Sequence, residues 1–286
     1  MAGKIERDHW HPGFLGAMEL EFIEYKRDLV FDGEYQLSKE PLRMDLLIIK
    51  KRKDAVVENQ IGRIFRQYNV FEFKSPRDEL SIDDYIKTVG YAYVFKGLGK
   101  TVNEIPFSEL TVTLVRDTMP EKLFQSIREE GGTIEETYPG VYYIHGVVAT
   151  PTQFVLTSKL EQGLHASLRI LTENVTEADV ESFIEMAKEL TEPGDRHNAD
   201  ALLQVSVSAN KEVYENVKRR DPAMCKAMKD LMKEEIQEEK QEAVDISLIA
   251  AIKNLMKKTG WTANQAMESL AIPAADQIRY ATRLQG

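Results

Sequence analysis

The residues in this sequence best suited to do chemistry lie in the run Phe71-Glu72-Phe73-Lys74-Ser75-Pro76. Read as a β-strand, the run places Phe71 and Phe73 on one face and Glu72 and Lys74 on the other. Buried charges are costly unless they are paired or bind a metal. The strand predicted upstream, 42–49, also has one acid in its interior, Asp45. Two strands that each bury a carboxylate, one of them with a lysine on the same face, predict a divalent-metal site with a positioned cation, the arrangement needed to hydrolyse a phosphodiester. The ordinary alternative for such a triplet is the wet polar face of an antiparallel sheet.

A second acid, Asp45, lies inside the apolar run Met44–Ile49. The run is apolar on both faces and predicts a central strand, from which an unpaired carboxylate would be expelled. Asp45 is therefore expected either to bind the same metal as Glu72 or to form a structural salt bridge with Arg43 or Lys74.

A third acid is predicted on the first helix. At about 100° per residue, Glu21 falls within the apolar stripe formed by Phe14, Ala17 and Tyr25. A buried acid needs a partner, and a metal site or its water network would supply one. The alternatives are that Glu21 snorkels to solvent or pairs with a nearby base such as Lys26.

The elements expected to position these residues follow from hydrophobic periodicity. The predicted helices are 14–26, 55–65, a helix capped by Ser81 that ends near Gly97, and 120–130; the predicted strands are 29–37, 42–50, 70–74, 110–115, 141–148 and 154–160. After about Leu171 nearly every segment has a helical pattern. The fold class predicted is α/β, with a mixed central sheet flanked by helices over residues 1–171 and a helical C-terminal region over 172–286.

The order of these acidic and basic residues along the chain resembles that of a known family. An acid on the first helix, an Asp on the second strand and Glu-x-Lys on the third resemble the PD-(D/E)xK nuclease superfamily, which has the restriction-endonuclease-like fold. The segments Pro41–Lys50 and Tyr68–Pro76 are similar to its transposase-like branch, which includes the recombination-promoting nucleases. The acid of the second strand is preceded here by Met44 where the motif's name has Pro.

The resemblance implies a set of roles. Asp45, Glu72 and the backbone carbonyl of Phe73 would bind Mg²⁺, with Mn²⁺ as a substitute, since oxygen-only ligation suits these ions. Lys74 would orient the attacking water and stabilise the charge that develops on the phosphate. Glu21 would support the metal or a second ion.

On the helix that follows the third strand, the resemblance also implies a substrate-binding pair, Lys87 and Tyr91. They stand four residues apart on one helix face and resemble a Gln-x-x-x-Tyr element of related nucleases, with Lys in place of Gln. A solvated helix face is the alternative for this pair.

Composition and charge limit which binding partners and which cellular location are expected. The net charge of −10 and pI of about 5.2 argue against a tight nonspecific nucleic-acid binder, although 43–53 and 63–74 are locally basic. With one cysteine, no apolar run long enough to span a membrane and no secretory signal, the chain is expected in the cytoplasm. The stripe Val244, Leu248, Ile252 and Leu255 is expected to pack on the chain's own core or on a second copy in a homo-oligomer.

Together these observations predict a metal-dependent nuclease that hydrolyses phosphodiester bonds, with DNA as the substrate. The alternative is a noncatalytic binding or assembly protein that keeps a nuclease-like fold. The acidic pI and the long helical tail favour that alternative.

Overall fold

A seven-stranded mixed sheet forms the centre of the chain in a computed structural model, which describes residues 10–33, 46–231, 248–270, 272, 273, 277 and 280. The strands are β1 (Leu29–Asp32), β2 (Leu46–Lys51), β3 (Tyr68–Phe73), β4 (Leu110–Arg116), β5 (Thr133–Tyr138), β6 (Val141–His145) and β7 (Thr152–Leu156). Their order across the sheet is β1-β2-β3-β4-β7-β6-β5. Within these residues, no helix is long and apolar enough to cross a membrane. The predicted α/β class is confirmed.

The centre of the sheet is parallel and its two sides are antiparallel. β3 pairs in parallel with β4, and β4 with β7, whereas β1, β2 and β3 form an antiparallel series and so do β7, β6 and β5. Every residue of β7 and all but the last of β4 are buried, as expected of parallel strands covered on both faces. The three parallel strands therefore bring their carboxyl ends to one edge of the sheet and their amino ends to the other.

Helices of the first compact unit cover both faces of the sheet. The helices from Trp10 to Leu231 are α1 (Trp10–Glu21), α2 (Ile82–Gly97), α3 (Glu121–Glu129), α4 (Ala166–Arg169), α5 (Glu177–Lys188), α6 (Pro193–Ala209), α7 (Lys211–Arg220) and α8 (Pro222–Leu231). One face of the sheet, with Ile48, Val70, Leu114 and Phe154, packs against α2 and α3 in a single apolar cluster. On the other face, Phe73 stacks on Phe14 of α1 with ring centroids 4.5 Å apart.

The segment before β3 differs from the prediction. Residues 55–65 were expected to form a helix, but the only helical part is a 3₁₀ turn, Gly62–Ile64. The side-chain oxygen of Asn59 accepts hydrogen bonds from the backbone N–H groups of Ile61 and Gly62. Asn side chains commonly compete with helix hydrogen bonds in this way, and the turn forms in place of the helix.

No strand is predicted from the sequence at β5. It is an edge strand, and its residues Thr133–Tyr138 are exposed or half-buried with two adjacent glutamates, Glu135 and Glu136. Charged side chains on an edge strand discourage pairing with another chain, and they also remove the apolar pattern by which a strand is recognised.

The chain divides into two compact units, Met1–Met228 and Lys229–Gly286, further along than the boundary expected at residue 171. Helix α6 packs along α1, which explains why the helical residues after 171 belong with the sheet. In the second unit, helical residues 248–259 (α9) and α10 (Ala263–Ser269) share a small core with Ile252 and Met267. Leu248 and Leu255 of the predicted stripe pack on this core, and Val244 lies outside the described residues.

Candidate active site

Glu72 is positioned by the alternation of β3. Phe71 and Phe73 are fully buried on the face covered by α1, so Glu72 points to the α2 side, opposite Leu46 of β2 and Leu114 of β4. Its side chain is only 14% exposed. The strand thus holds a carboxylate at the end of a mostly apolar wall.

Lys74 continues the same face one step beyond the strand. Its backbone N–H donates to the carbonyl of Val115, 2.9 Å away, which keeps the chain beside β4. The ammonium Nζ of Lys74 lies 3.1 Å from Oε1 of Glu72 and 2.9 Å from Oδ1 of Asp84. The predicted acid and base therefore meet, and the structure adds a second carboxylate to them.

Asp84 comes from the first turn of α2. Ser81 caps the helix by accepting from the N–H of Asp84, and Asp84 Oδ2 accepts in return from the N–H and the hydroxyl of Ser81 at 2.9 and 2.6 Å. This capping box fixes the Asp84 carboxylate and leaves Oδ1 for Lys74. The Ser81 cap is legible in the sequence, but nothing in the sequence shows that the helix begins beside Lys74.

The three charged groups shift one another's pKa values. Burial raises the pKa of Glu72 above its usual range, although the positive charges of Lys74 and Lys87 work against this. Burial alone would lower the pKa of Lys74, but the carboxylates of Glu72 and Asp84 outweigh it and raise that pKa. For Asp84, burial is outweighed by the hydrogen bonds from Ser81 and by Lys74, and its pKa is lowered. Lys74 is thus held as an ammonium between two carboxylates.

Lys87 and Tyr91 lie on the same side of the sheet. The charge of Lys87 is close enough to Glu72 to offset part of the rise that burial causes in the pKa of Glu72, and Lys87 Nζ lies 5.5 Å from the centre of the Tyr91 ring. Lys87 is exposed and Tyr91 is half-buried. The structure therefore brings Lys87 towards Glu72 and Lys74, with Tyr91 beneath it.

Glu21 is not part of this group. It is buried as predicted, with 1% of its side chain exposed, but α1 lies on the opposite face of the sheet. Nδ1 of His165 lies 2.5 Å from Glu21 Oε1, Asn59 donates to Oε1 at 2.7 Å, and Ser167 donates to Oε2 at 3.3 Å. The expected alternative partner, Lys26, pairs instead with Asp195. Glu21 thus has a satisfied network of its own.

The remaining expected ligands are Asp45 and the carbonyl of Phe73. Asp45 lies outside the described residues; Leu46, which follows it in the sequence, pairs with Glu72 across the sheet. Phe73 is the last residue of β3, between Glu72 and Lys74. Among the described residues, no group of three or more His, Cys, Asp or Glu side chains could hold a metal ion.

Comparisons with protein-family models, with curated proteins and with solved structures returned no match.

Proposed function

We propose that this chain is a metal-dependent nuclease that hydrolyses phosphodiester bonds, with DNA as its substrate. The observation that carries the proposal is the Lys74 ammonium, 3.1 Å from the Glu72 carboxylate at the carboxyl end of a central strand. Both side chains are more than four-fifths buried. Charges interact strongly in a buried environment, and burying them is unfavourable unless they are paired or bind a metal.

The surrounding fold supports the resemblance to the PD-(D/E)xK superfamily. The Glu-x-Lys strand, β3, lies between β2, which follows Asp45 in the sequence, and β4, its parallel neighbour. Helix α2 then returns over the face that carries Glu72. We infer a restriction-endonuclease-like core from this order of elements.

The donors fit a hard divalent cation. Glu72 Oε1 is engaged by Lys74, and over the described ranges Oε2 accepts no hydrogen bond and is not fully buried. Asp45 and the carbonyl of Phe73 would complete the protein ligands. Such a set, all oxygen and few in number, suits Mg²⁺, which keeps several waters in its coordination shell. When bound, Mg²⁺ would acidify a water and neutralise charge on the phosphate.

The role of Lys74 follows from its pKa. Because the carboxylates raise this pKa above 10.5, the side chain remains an ammonium at neutral pH and cannot accept a proton from water. It can donate hydrogen bonds to the attacking water and to a phosphate oxygen, where it stabilises developing negative charge. Asp84 is a positioning residue, because it fixes the ammonium without facing the substrate itself. Lys87, exposed on α2, would contact a neighbouring phosphate.

A noncatalytic role on the same fold remains the alternative, and one observation favours it. Lys74 pairs with two carboxylates at once, so the three groups also form a complete ion triad without a metal. Such a triad would fix the start of α2 against β3 and nothing more.

Cleavage of supercoiled plasmid tests the proposal. We expect nicked or linear product from the wild type with Mg²⁺, none in excess EDTA, and background levels from Asp45→Asn.

At subsaturating Mg²⁺, cleavage should also fall on acidification at a pH above the usual glutamate pKa of 4.5. The reason is that a raised pKa means Glu72 takes up a proton, and ceases to be a ligand, at higher pH than an ordinary glutamate does.

Two outcomes would contradict the proposal. One is intact plasmid with both Mg²⁺ and Mn²⁺. The other is cleavage by Asp45→Asn equal to that of the wild type, which would point to a contaminating nuclease.

A further inference from the structure

A cavity of about 430 Å³ lies at the other end of the parallel strands from Glu72 and Lys74. Its walls are formed by three residues of the segment 63–66, just before β3, and by most of the segment 143–152, from the end of β6 to the start of β7. The volume falls within the range of roughly 300–1,000 Å³ typical of small-ligand sites. The cavity therefore belongs to the amino ends of β3 and β7, remote from the candidate active site.

The charged side chains that line this cavity are basic. Arg63 and Arg66 face it with His145, and no Asp or Glu is among the lining residues. Neither arginine guanidinium forms an ion pair with any residue in the described part of the chain. Both arginines are exposed, so their guanidinium groups are accessible to an anion that enters the cavity.

An aromatic ring lies on the same wall. Tyr143 is half-buried, and its ring centroid is 6.4 Å from that of His145. The charge of Arg63 is near enough to the Tyr143 hydroxyl to offset part of the rise that burial causes in its pKa. The cavity thus has an arginine and an aromatic side chain close together in its lining.

Two fully buried amide side chains hold the arginine segment in place. Asn69 Nδ2 donates to the carbonyl of Arg66 at 2.8 Å, and its Oδ1 accepts from the N–H of Arg66 at 2.8 Å. Gln153 Nε2 donates to the carbonyl of Ile61 at 2.9 Å. These bonds anchor the backbone on both sides of Arg63 to the central strands, so the segment that carries the two arginines is held in place without a ligand.

From this arrangement we propose that the cavity binds a nucleoside phosphate, with the phosphate on Arg63 and Arg66 and the base stacked on Tyr143. Guanidinium groups match phosphate oxygens with paired hydrogen bonds, and aromatic rings stack on any base. The nucleoside phosphate is either a free nucleotide or the terminal nucleotide of a strand. The site uses neither Glu72 nor a metal, so the proposed nucleotide binding can be tested independently of the nuclease proposal.

Calorimetric titration in EDTA tests the site, with adenosine monophosphate, adenosine, inorganic phosphate and a short 5′-phosphorylated oligothymidylate as probes. We expect adenosine monophosphate to bind more tightly than adenosine or phosphate. The double variant Arg63→Gln/Arg66→Gln should weaken binding by about tenfold or more, because it removes both charge-assisted contacts. Tyr143→Leu should weaken it as well, whereas Tyr143→Phe should not.

The double variant Lys211→Gln/Arg219→Gln on α7 is the charge-matched control and should bind as the wild type does. Binding of adenosine monophosphate alone identifies a free nucleotide, and binding of the oligonucleotide as well identifies a strand end. The proposal is overturned if no nucleoside phosphate binds, if adenosine or inorganic phosphate binds as tightly as the monophosphate, or if Arg63→Gln/Arg66→Gln leaves binding unchanged.

Discussion

Lys74→Met is expected to reduce plasmid cleavage by about 10²–10³ while the protein remains folded in excess Mg²⁺. The substitution keeps most of the side-chain volume, so it opens no cavity, but it removes the ammonium that stabilises charge on the phosphate. Bound Mg²⁺ would replace the lost cation beside Glu72 and stabilise the fold by mass action. Plasmid cleavage and thermal melts in Mg²⁺ measure the two effects on one variant.

The matched control is Lys122→Met, which replaces a largely exposed lysine paired with Glu79 and should change neither property. If Glu72, Lys74 and Asp84 are only a structural triad, Lys74→Met leaves two carboxylates buried without a cation. That would cost about 3–5 kcal/mol even in excess Mg²⁺, since no metal would bind there. Strong destabilisation of the variant, with no cleavage by the wild type, would favour the noncatalytic alternative.

Glu21→Ala is expected to destabilise the first unit by about 3–5 kcal/mol. The change would leave the buried His165 and Ser167 and the half-buried Asn59 without their shared acceptor, and it would open a cavity between α1 and residues 165–167. Urea denaturation measures the loss. Glu24→Ala, an exposed acid three residues along, should lie within about 0.5 kcal/mol of the wild type.

The stability of Glu21→Ala distinguishes a structural role in the network with His165 from the role in metal binding that the family resemblance implies. A Glu21→Ala variant that is as stable as the wild type but does not cleave plasmid would indicate that Glu21 acts in the active site. It would also contradict its placement on the far face of the sheet.

The positions of Glu72 and Lys74 could be predicted from the alternation of side chains along a single strand. Alternation along β3 puts Glu72 and Lys74 on one face whatever the rest of the chain does, and the two side chains do meet. The Ser81 cap likewise predicts the start of α2 from four consecutive residues. These features depend on neighbours in sequence, which is why sequence alone indicates them.

Features that depend on distant residues were missed or assigned to the wrong partner. Periodicity places Glu21 on the buried side of α1, but its partner His165 lies 144 residues away. Asp84 reaches Lys74 only because the chain turns between β3 and α2. The basic cavity needs Arg63, from the 3₁₀ turn before β3, and Tyr143, from β6, which lie far apart in the sequence. No pattern in a single sequence specifies such pairings, because they are set by how the helices and strands pack.

The proposed metal centre is best tested by locating the ion. Crystals soaked in Mn²⁺ and measured at a wavelength where manganese scatters anomalously should show one peak roughly 2.1 Å from carboxylate oxygens of both Glu72 and Asp45, with the Lys74 ammonium beside it. A fully ordered structure without a peak at Glu72, or with the Asp45 carboxylate on the opposite face of the sheet, would contradict a shared metal site and the nuclease function built on it.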